Sequence, residues 1–168
     1  MKLSTLPPAI EIFLQPGELF VGDADYRLRT LLGSCVSITL WHGGSRIGAM
    51  SHFLLATRGA GAPGEFDGRY GDEAMHLMIE GLAQAGVAAR ECQAKLFGGG
   101  NMFPDLALGG AINVGRQNGA AAQAIVEDLG IHVVSRSLFG HGHRNIVFDV
   151  RTGDVWVRRS RISKKELE

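Results

Sequence analysis

Apolar and polar positions change period along this chain, and the changes place its elements. From Cys35 to Trp41 the order Cys-Val-Ser-Ile-Thr-Leu-Trp alternates, the two-residue period of a strand with one face inward. Ile47–Leu55 is richer in apolar residues and predicts a second strand, joined to the first by a hairpin-like turn at His42-Gly43-Gly44-Ser45. Upstream, Ala9–Val21 reads as an extended pair, Glu11–Leu14 and Leu19–Val21, around Pro16-Gly17. Tyr26–Leu32 is a further extended segment. Thr57–Arg69 holds four glycines and a proline and reads as a loop.

A helical period takes over from about Tyr70 to Ala85, where Met75, Met78, Ile79 and Leu82 fall at i, i+3, i+4 and i+7 before Gly86. Ala122, Ile125, Val126 and Leu129 repeat that spacing in a second helix over Gly115–Leu129, closed by Gly130. Gln93–Phe97 and Ile131–Ser135 read as strands on either side of it. Asn145–Val150 and Val155–Arg159 form a terminal hairpin about Arg151-Thr152-Gly153-Asp154. Two helices among seven or more strands predict an α+β fold, a mostly antiparallel sheet with two long helices packed on it. The expected organisation is one domain over residues 1–168, with a core from about 10 to 160 and a charged tail from 160 to 168.

Composition narrows the function classes. With 45% hydrophobic and 20% charged residues in 168, the chain can bury a core and is not disordered. Lys+Arg and Asp+Glu both number 17, and zero net charge argues against a broad cationic surface for nucleic acid. No stretch approaches the ~20 apolar residues of a membrane span, and Met1–Leu14 has no signal-peptide core. The expected compartment is the cytoplasm, where Cys35 and Cys92 stay reduced. Glycine stands out: 24 residues is about twice the ~7% norm, and their clustering points to tight turns and close backbone approaches.

The candidate chemistry gathers at Gly33-Ser34-Cys35. A thiol on a glycine-containing turn can be exposed, with the N–H groups around Gly33 and Ser34 available to a developing oxyanion. The alternative is a small side chain filling a strand end. If the turn at 42–45 sets a symmetric register, positions 35 and 52 share the sum 87 and Cys35 stands directly opposite His52. Opposed residues have Cβ atoms roughly 4.5–5.5 Å apart, within reach of a thiol–imidazole hydrogen bond. The alternative for His52 is a satisfied histidine in an apolar strand. Thr30, on the preceding strand, has a hydroxyl that can fix the imidazole's tautomer.

Other features carry less. Cys92 opens a strand with no histidine nearby and reads as packing. His141-x-His143, with His132 nearby, lacks a carboxylate or cysteine partner, so no metal is assigned. Gly98-Gly99-Gly100-Asn101 lacks the Lys-Ser/Thr of a phosphate loop and reads as a turn or substrate-groove backbone. Arg158, Arg159, Arg161, Lys164 and Lys165 make a basic tail, solvated or set to meet an acidic surface.

Several of these segments carry a resemblance. Thr30-Leu-Leu-Gly-Ser-Cys35-Val and then Gly48-Ala-Met-Ser-His52-Phe-Leu-Leu resemble the chemoreceptor glutamine deamidase family, CheD. The likeness continues at Arg69-Tyr-Gly-Asp72, Phe97-Gly-Gly-Gly-Asn-Met102, Ile112-Asn-Val-Gly115-Arg-Gln-Asn118 and the terminal Arg-Thr-Gly-Asp-Val, covering roughly residues 10–160. It implies an α/β sandwich bearing a Cys–His–Thr triad, here Cys35, His52 and Thr30, that deamidates glutamines of methyl-accepting chemotaxis receptors through a Cys thioester. It implies Asn101 and Asn118 as substrate-groove residues and no metal or organic cofactor. The expected partners are the receptors and a CheC-type phosphatase, with no nucleic acid and no membrane insertion. A regulatory module that docks such a partner, with catalysis secondary, is the alternative the same family allows. Gly140-His-Gly-His-Arg144 departs from the family pattern, which starts Gly-Gly and has fewer histidines.

Overall fold

The computed structural model describes residues 7–59, 64–103 and 113–160. Positions 60–63 of the predicted loop, Ile112 of the fifth motif and the basic tail from 161 onward lie outside them. Among the described residues, nine strands and two helices appear in the order β1 (Ile10–Phe13), β2 (Leu19–Gly22), β3 (Tyr26–Leu32), β4 (Val36–His42), β5 (Ile47–Ser51), α1 (Gly71–Gln84), β6 (Gln93–Gly98), α2 (Val114–Asp128), β7 (His132–Leu138), β8 (His143–Asp149) and β9 (Val155–Ser160). A single 3₁₀ turn, Ala89–Glu91, precedes β6. The fold is α+β, as the periodicities predict.

The strands form two sheets, ordered β1-β3-β8-β9 and β2-β5-β4-β6-β7. Five of the seven strand pairings are antiparallel; β1–β3 and β6–β7 are parallel. The β6–β7 pair needs a crossover, and α2 supplies it. Alternation along β4 shows how the layers stack. Val36, Ile38 and Leu40 join Met75, Met78, Leu82, Ala122 and Val126 in a core between the five-stranded sheet and both helices. Trp41 and Cys35, on the opposite parity, pack against Leu28, Leu32, Met50, Phe97, Ile146 and Phe148 in a second core between the sheets. Strand β4 is therefore covered on both faces, which explains its buried polar positions Ser37 and Thr39.

Two expectations are corrected here. The segments around Pro16-Gly17 are not a paired hairpin: β1 lies beside β3 in the four-stranded sheet and β2 beside β5 in the other. Residues 14–18 instead cross between layers, with Gly17 at φ +88 and its N–H on His52 O. The β4–β5 register is also longer than a turn at 42–45 implies. The closing pair is His42↔Ile47, Arg46 takes φ 54, and opposite positions sum to 89, as at Thr39↔Met50 and Val36↔Phe53. Cys35 and His52 are consequently not directly opposed. A two-residue shift preserves side-chain parity, so both still belong to the face turned toward the four-stranded sheet.

Candidate active site

Two crossovers between the sheets meet at one end of the sandwich. The first carries the chain from β1 to β2, the second from β3 to β4 through Gly33, Ser34 and Cys35. Leu14 N donates to Arg29 O at 2.8 Å and prolongs the β1–β3 pairing by one step, bringing the Leu14 carbonyl to Thr30. Thr30 faces inward from β3, fully buried. His52 follows β5 and is 3% exposed, its N–H on Glu18 O and its C=O accepting from Gly17.

The hydrogen bonds at Thr30 fix a tautomer. Its hydroxyl has one hydrogen, and Leu14 O, 2.8 Å away, can only accept it. His52 Nδ1, 2.7 Å from the same oxygen, must then be the donor. In a neutral imidazole this leaves Nε2 as the bare acceptor, the arrangement a general base needs. Burial holds the His52 pKa below its ordinary value of 6.5, partly offset by the Leu14 carbonyl and the charge of Glu18. Burial also raises the Cys35 thiol above its ordinary 9.0. Both shifts favour the uncharged form of the group.

The turn that carries Cys35 is held through its carbonyls. Gly33 O accepts from Gly100 N at 3.0 Å, Cys35 O from Gly99 N at 2.9 Å, and Ser34 O from the Asn118 side chain at 3.1 Å. The N–H groups of Gly33, Ser34 and Cys35 donate to no acceptor among the described residues. A turn whose carbonyls are all engaged and whose amides are unspent can serve an oxyanion. The glycine run makes this approach possible. A Cβ on Gly98, at φ +108, would stand 2.2 Å from Cys35 O, and one on Gly115 2.3 Å from Gly100 O.

The remaining candidates separate. Asn101 lines a groove of about 420 Å³ with Asn113, Arg116, Phe139 and His141. Asn118 does not line a groove: it is 1% exposed, and its amide hydrogens go to Ser34 O and Leu54 O. Its place on the inner side of α2, under the turn, spends its polarity on backbone. Cys92 is 2% exposed in the helix-side core, and burial, helped by Glu91, pushes its pKa up to about 11. Among the described residues no three His, Cys, Asp or Glu side chains are placed to hold a metal.

Three features of the site are not assigned to it from the sequence. The Leu14 carbonyl is backbone and has no residue signature. Met102 and His143 flank Gly33, lying 3.1 and 3.7 Å from where its Cβ would be, though they are 41 positions apart. Arg144, 1% exposed, donates to Ser137 Oγ at 3.1 Å, Gly98 O at 3.3 Å and Phe139 O, pinning Phe139 at φ 69 beside the glycine run. Burial and the charge of Arg159 hold its pKa down.

The chain is similar to known proteins along most of its length. The family described as CheD chemotactic sensory transduction matches residues 54–159, a span beginning just after His52. The probable chemoreceptor glutamine deamidase CheD 2 of Albidiferax ferrireducens is 62% identical over 148 residues, covering 88% of this chain and 86% of the relative. The probable chemoreceptor glutamine deamidase CheD 1 of Chromobacterium violaceum is 40% identical over 162 residues, 96% of this chain and 83% of the relative. A further relative of that name from Pseudomonas syringae pv. tomato is 43% identical over 161 residues, 95% of each chain.

Proposed function

This chain belongs to the CheD family, and from that premise we propose that it is a protein-glutamine deamidase acting on chemotaxis receptors, with Cys35 as nucleophile, His52 as base and acid, and Thr30 as the orienting group. The observation that carries the assignment is the Leu14 O–Thr30–His52 relay, because it leaves Nε2 unprotonated on the face that Cys35 shares.

The reaction follows from these groups. His52 Nε2 takes the Cys35 proton as the sulfur attacks the carboxamide carbon of a receptor glutamine. The oxyanion meets the unspent amides of Gly33–Cys35. The imidazolium returns its proton to the nitrogen, ammonia leaves, and a thioester joins Cys35 to the former glutamine. Water, deprotonated by the same Nε2, then attacks that thioester; the imidazolium gives its proton to the departing sulfur, restoring the thiol, and the receptor leaves with a glutamate side chain. One water enters and one ammonia departs, and no cofactor takes part. The groove beside Asn101 is where receptor segments around the glutamine would lie.

Intact-mass analysis of a receptor cytoplasmic fragment tests this. Each modified glutamine adds about 1 Da as amide becomes acid through the thioester. A gain with wild type and none with Cys35→Ala is expected. Equal gains with both would overturn the assignment. Binding of the fragment, or of a CheC-type phosphatase, with no gain in mass would make the chain a docking module instead.

A further inference from the structure

We infer that Asn118 is a positioning residue that sets the separation of Cys35 and His52 by clipping together the two backbone segments that carry them. The inference rests on the reading of Cys35 and His52 as nucleophile and base. Strands β4 and β5 exchange their last ladder bonds at Val36 and Phe53, Val36 N to Phe53 O at 3.1 Å and Phe53 N to Val36 O at 2.9 Å. One step further the strands part, because Gly33–Cys35 turns toward Gly99 and Gly100. Ser34 and Leu54 are left presenting carbonyls that no backbone N–H among the described residues meets. Unmet, two such dipoles would drive the strand ends further apart.

Asn118 supplies both missing donors. Its Nδ2 lies 3.1 Å from Ser34 O and 2.7 Å from Leu54 O, and an amide nitrogen has two hydrogens to give. Ser34 is the residue before the thiol, and Leu54 follows His52 by two positions. One side chain from a third element thus ties nucleophile segment to base segment where the sheet has stopped doing so. The short asparagine reaches because small residues bring α2 close. Gly115 lies against Gly99 and Gly100, where a Cβ would stand within 2.8 Å of their backbones. An aspartate of the same shape has no donors and would set a negative charge against two carbonyl oxygens; a glutamine is one methylene too long for a buried site.

The test uses full-length wild type, His52→Ala, Asn118→Asp and Asn118→Ser, with two readouts. One is the pH dependence of Cys35 carbamidomethylation by iodoacetamide, mapped by peptide mass so that the buried Cys92 is scored apart. The other is kcat and KM on the receptor fragment. His52→Ala is expected to move the alkylation profile to higher pH, because the base that takes the thiol proton as the sulfur attacks iodoacetamide is then missing and only thiolate formed in solution reacts. Asn118→Asp is expected to move it the same way and to lower kcat by about tenfold to a hundredfold at little-changed KM, as a small misplacement of reacting groups does. Asn118→Ser, which keeps one donor, should fall between, and stands in if the aspartate does not fold. A wild-type profile and wild-type kcat in the folded Asn118 variants, whatever their melting temperatures, would overturn the inference alone. A His52→Ala profile identical to wild type would remove the Cys35–His52 reading itself, and this inference with it.

Discussion

Thr30 Oγ1 lies 2.7 Å from His52 Nδ1, and that one contact joins the two sheets of the sandwich at the end where Cys35 makes its turn. Thr30 belongs to the four-stranded sheet and His52 follows a strand of the five-stranded one. A hydroxyl that also donates to Leu14 O can only accept from the histidine, so the imbalance of donors decides the protonation of Nε2. The protonation of His52 Nε2 therefore depends on how the layers are stacked.

Replacing Thr30 removes this ordering without touching the thiol. Thr30→Val is expected to lower kcat by about tenfold to a hundredfold through loss of imbalance-fixed orientation, and to destabilise the fold by about 1–3 kcal/mol, since it leaves Leu14 O and His52 Nδ1 unmet. His52→Ala should cost more, about 10²–10⁴-fold, because it removes the proton carrier. Thr30→Ser should retain most activity. Steady-state deamidation rates beside urea midpoints separate the two effects; Thr30→Val as slow as His52→Ala would contradict the relay.

Cys35→Ala should leave the fold in place. Cys35 is only partly buried against the core between the sheets, and deleting one sulfur there costs about 1 kcal/mol or less. Thermal melts followed by circular dichroism should nearly coincide with wild type while deamidation is lost. A large drop in melting temperature would mean the thiol's main duty is packing.

The pH dependence follows from two opposite shifts with one cause. Burial lowers His52 and raises Cys35, so the neutral pair persists below pH 6.5 and above pH 9.0. The rate plateau is expected to extend past both ordinary values. Stability has a defined sign as well. Above pH 6.5 folded and unfolded histidine are both neutral; below it the unfolded chain gains a proton that His52 in the fold resists. Stability from this group is lost as pH falls from 6.5 through the folded pKa, and His52→Gln should lose less than wild type across that window. Urea midpoints at stepped pH measure it.

Two glycines with positive φ should respond differently to the same methyl. Gly98→Ala places a Cβ 2.2 Å from Cys35 O at φ +108, so the turn that carries Cys35 must move. Gly130→Ala, at φ +68, meets nothing within 4 Å. The second should cost about 1 kcal/mol from backbone conformation alone, the first about 3 kcal/mol or more together with most of the activity. Similar losses at both sites, by denaturant midpoint and deamidation rate, would show that the close approach at Gly98 is unimportant.

Much of this protein is legible in its sequence because much of it is local. The two-residue period of Cys35–Trp41 marks a strand, and the stripe Met75, Met78, Ile79, Leu82 marks a helix with its buried face. Gly33-Ser34-Cys35 stands out by residue type, whereas the pairing of His52 with Cys35 rests on a 42–45 register that the fold does not keep, and Thr30 is drawn in mainly by the resemblance. The sequence by itself determined which segments are strands, which are helices, and that the chain has a thiol, an imidazole and a hydroxyl at this spacing. It did not determine that Pro16-Gly17 crosses between layers, since a turn signal reads the same in a hairpin and in a crossover. Nor did it set the β4–β5 register, because the extra turn residues Ser45 and Arg46 are as compatible with strand as with turn. Tertiary structure alone decided that the Leu14 carbonyl would order His52 and that Asn118 would hold Ser34 and Leu54. Those outcomes depend on which backbone groups are left without partners after the sheets stack, and an unpaired carbonyl belongs to the packing and to no residue type.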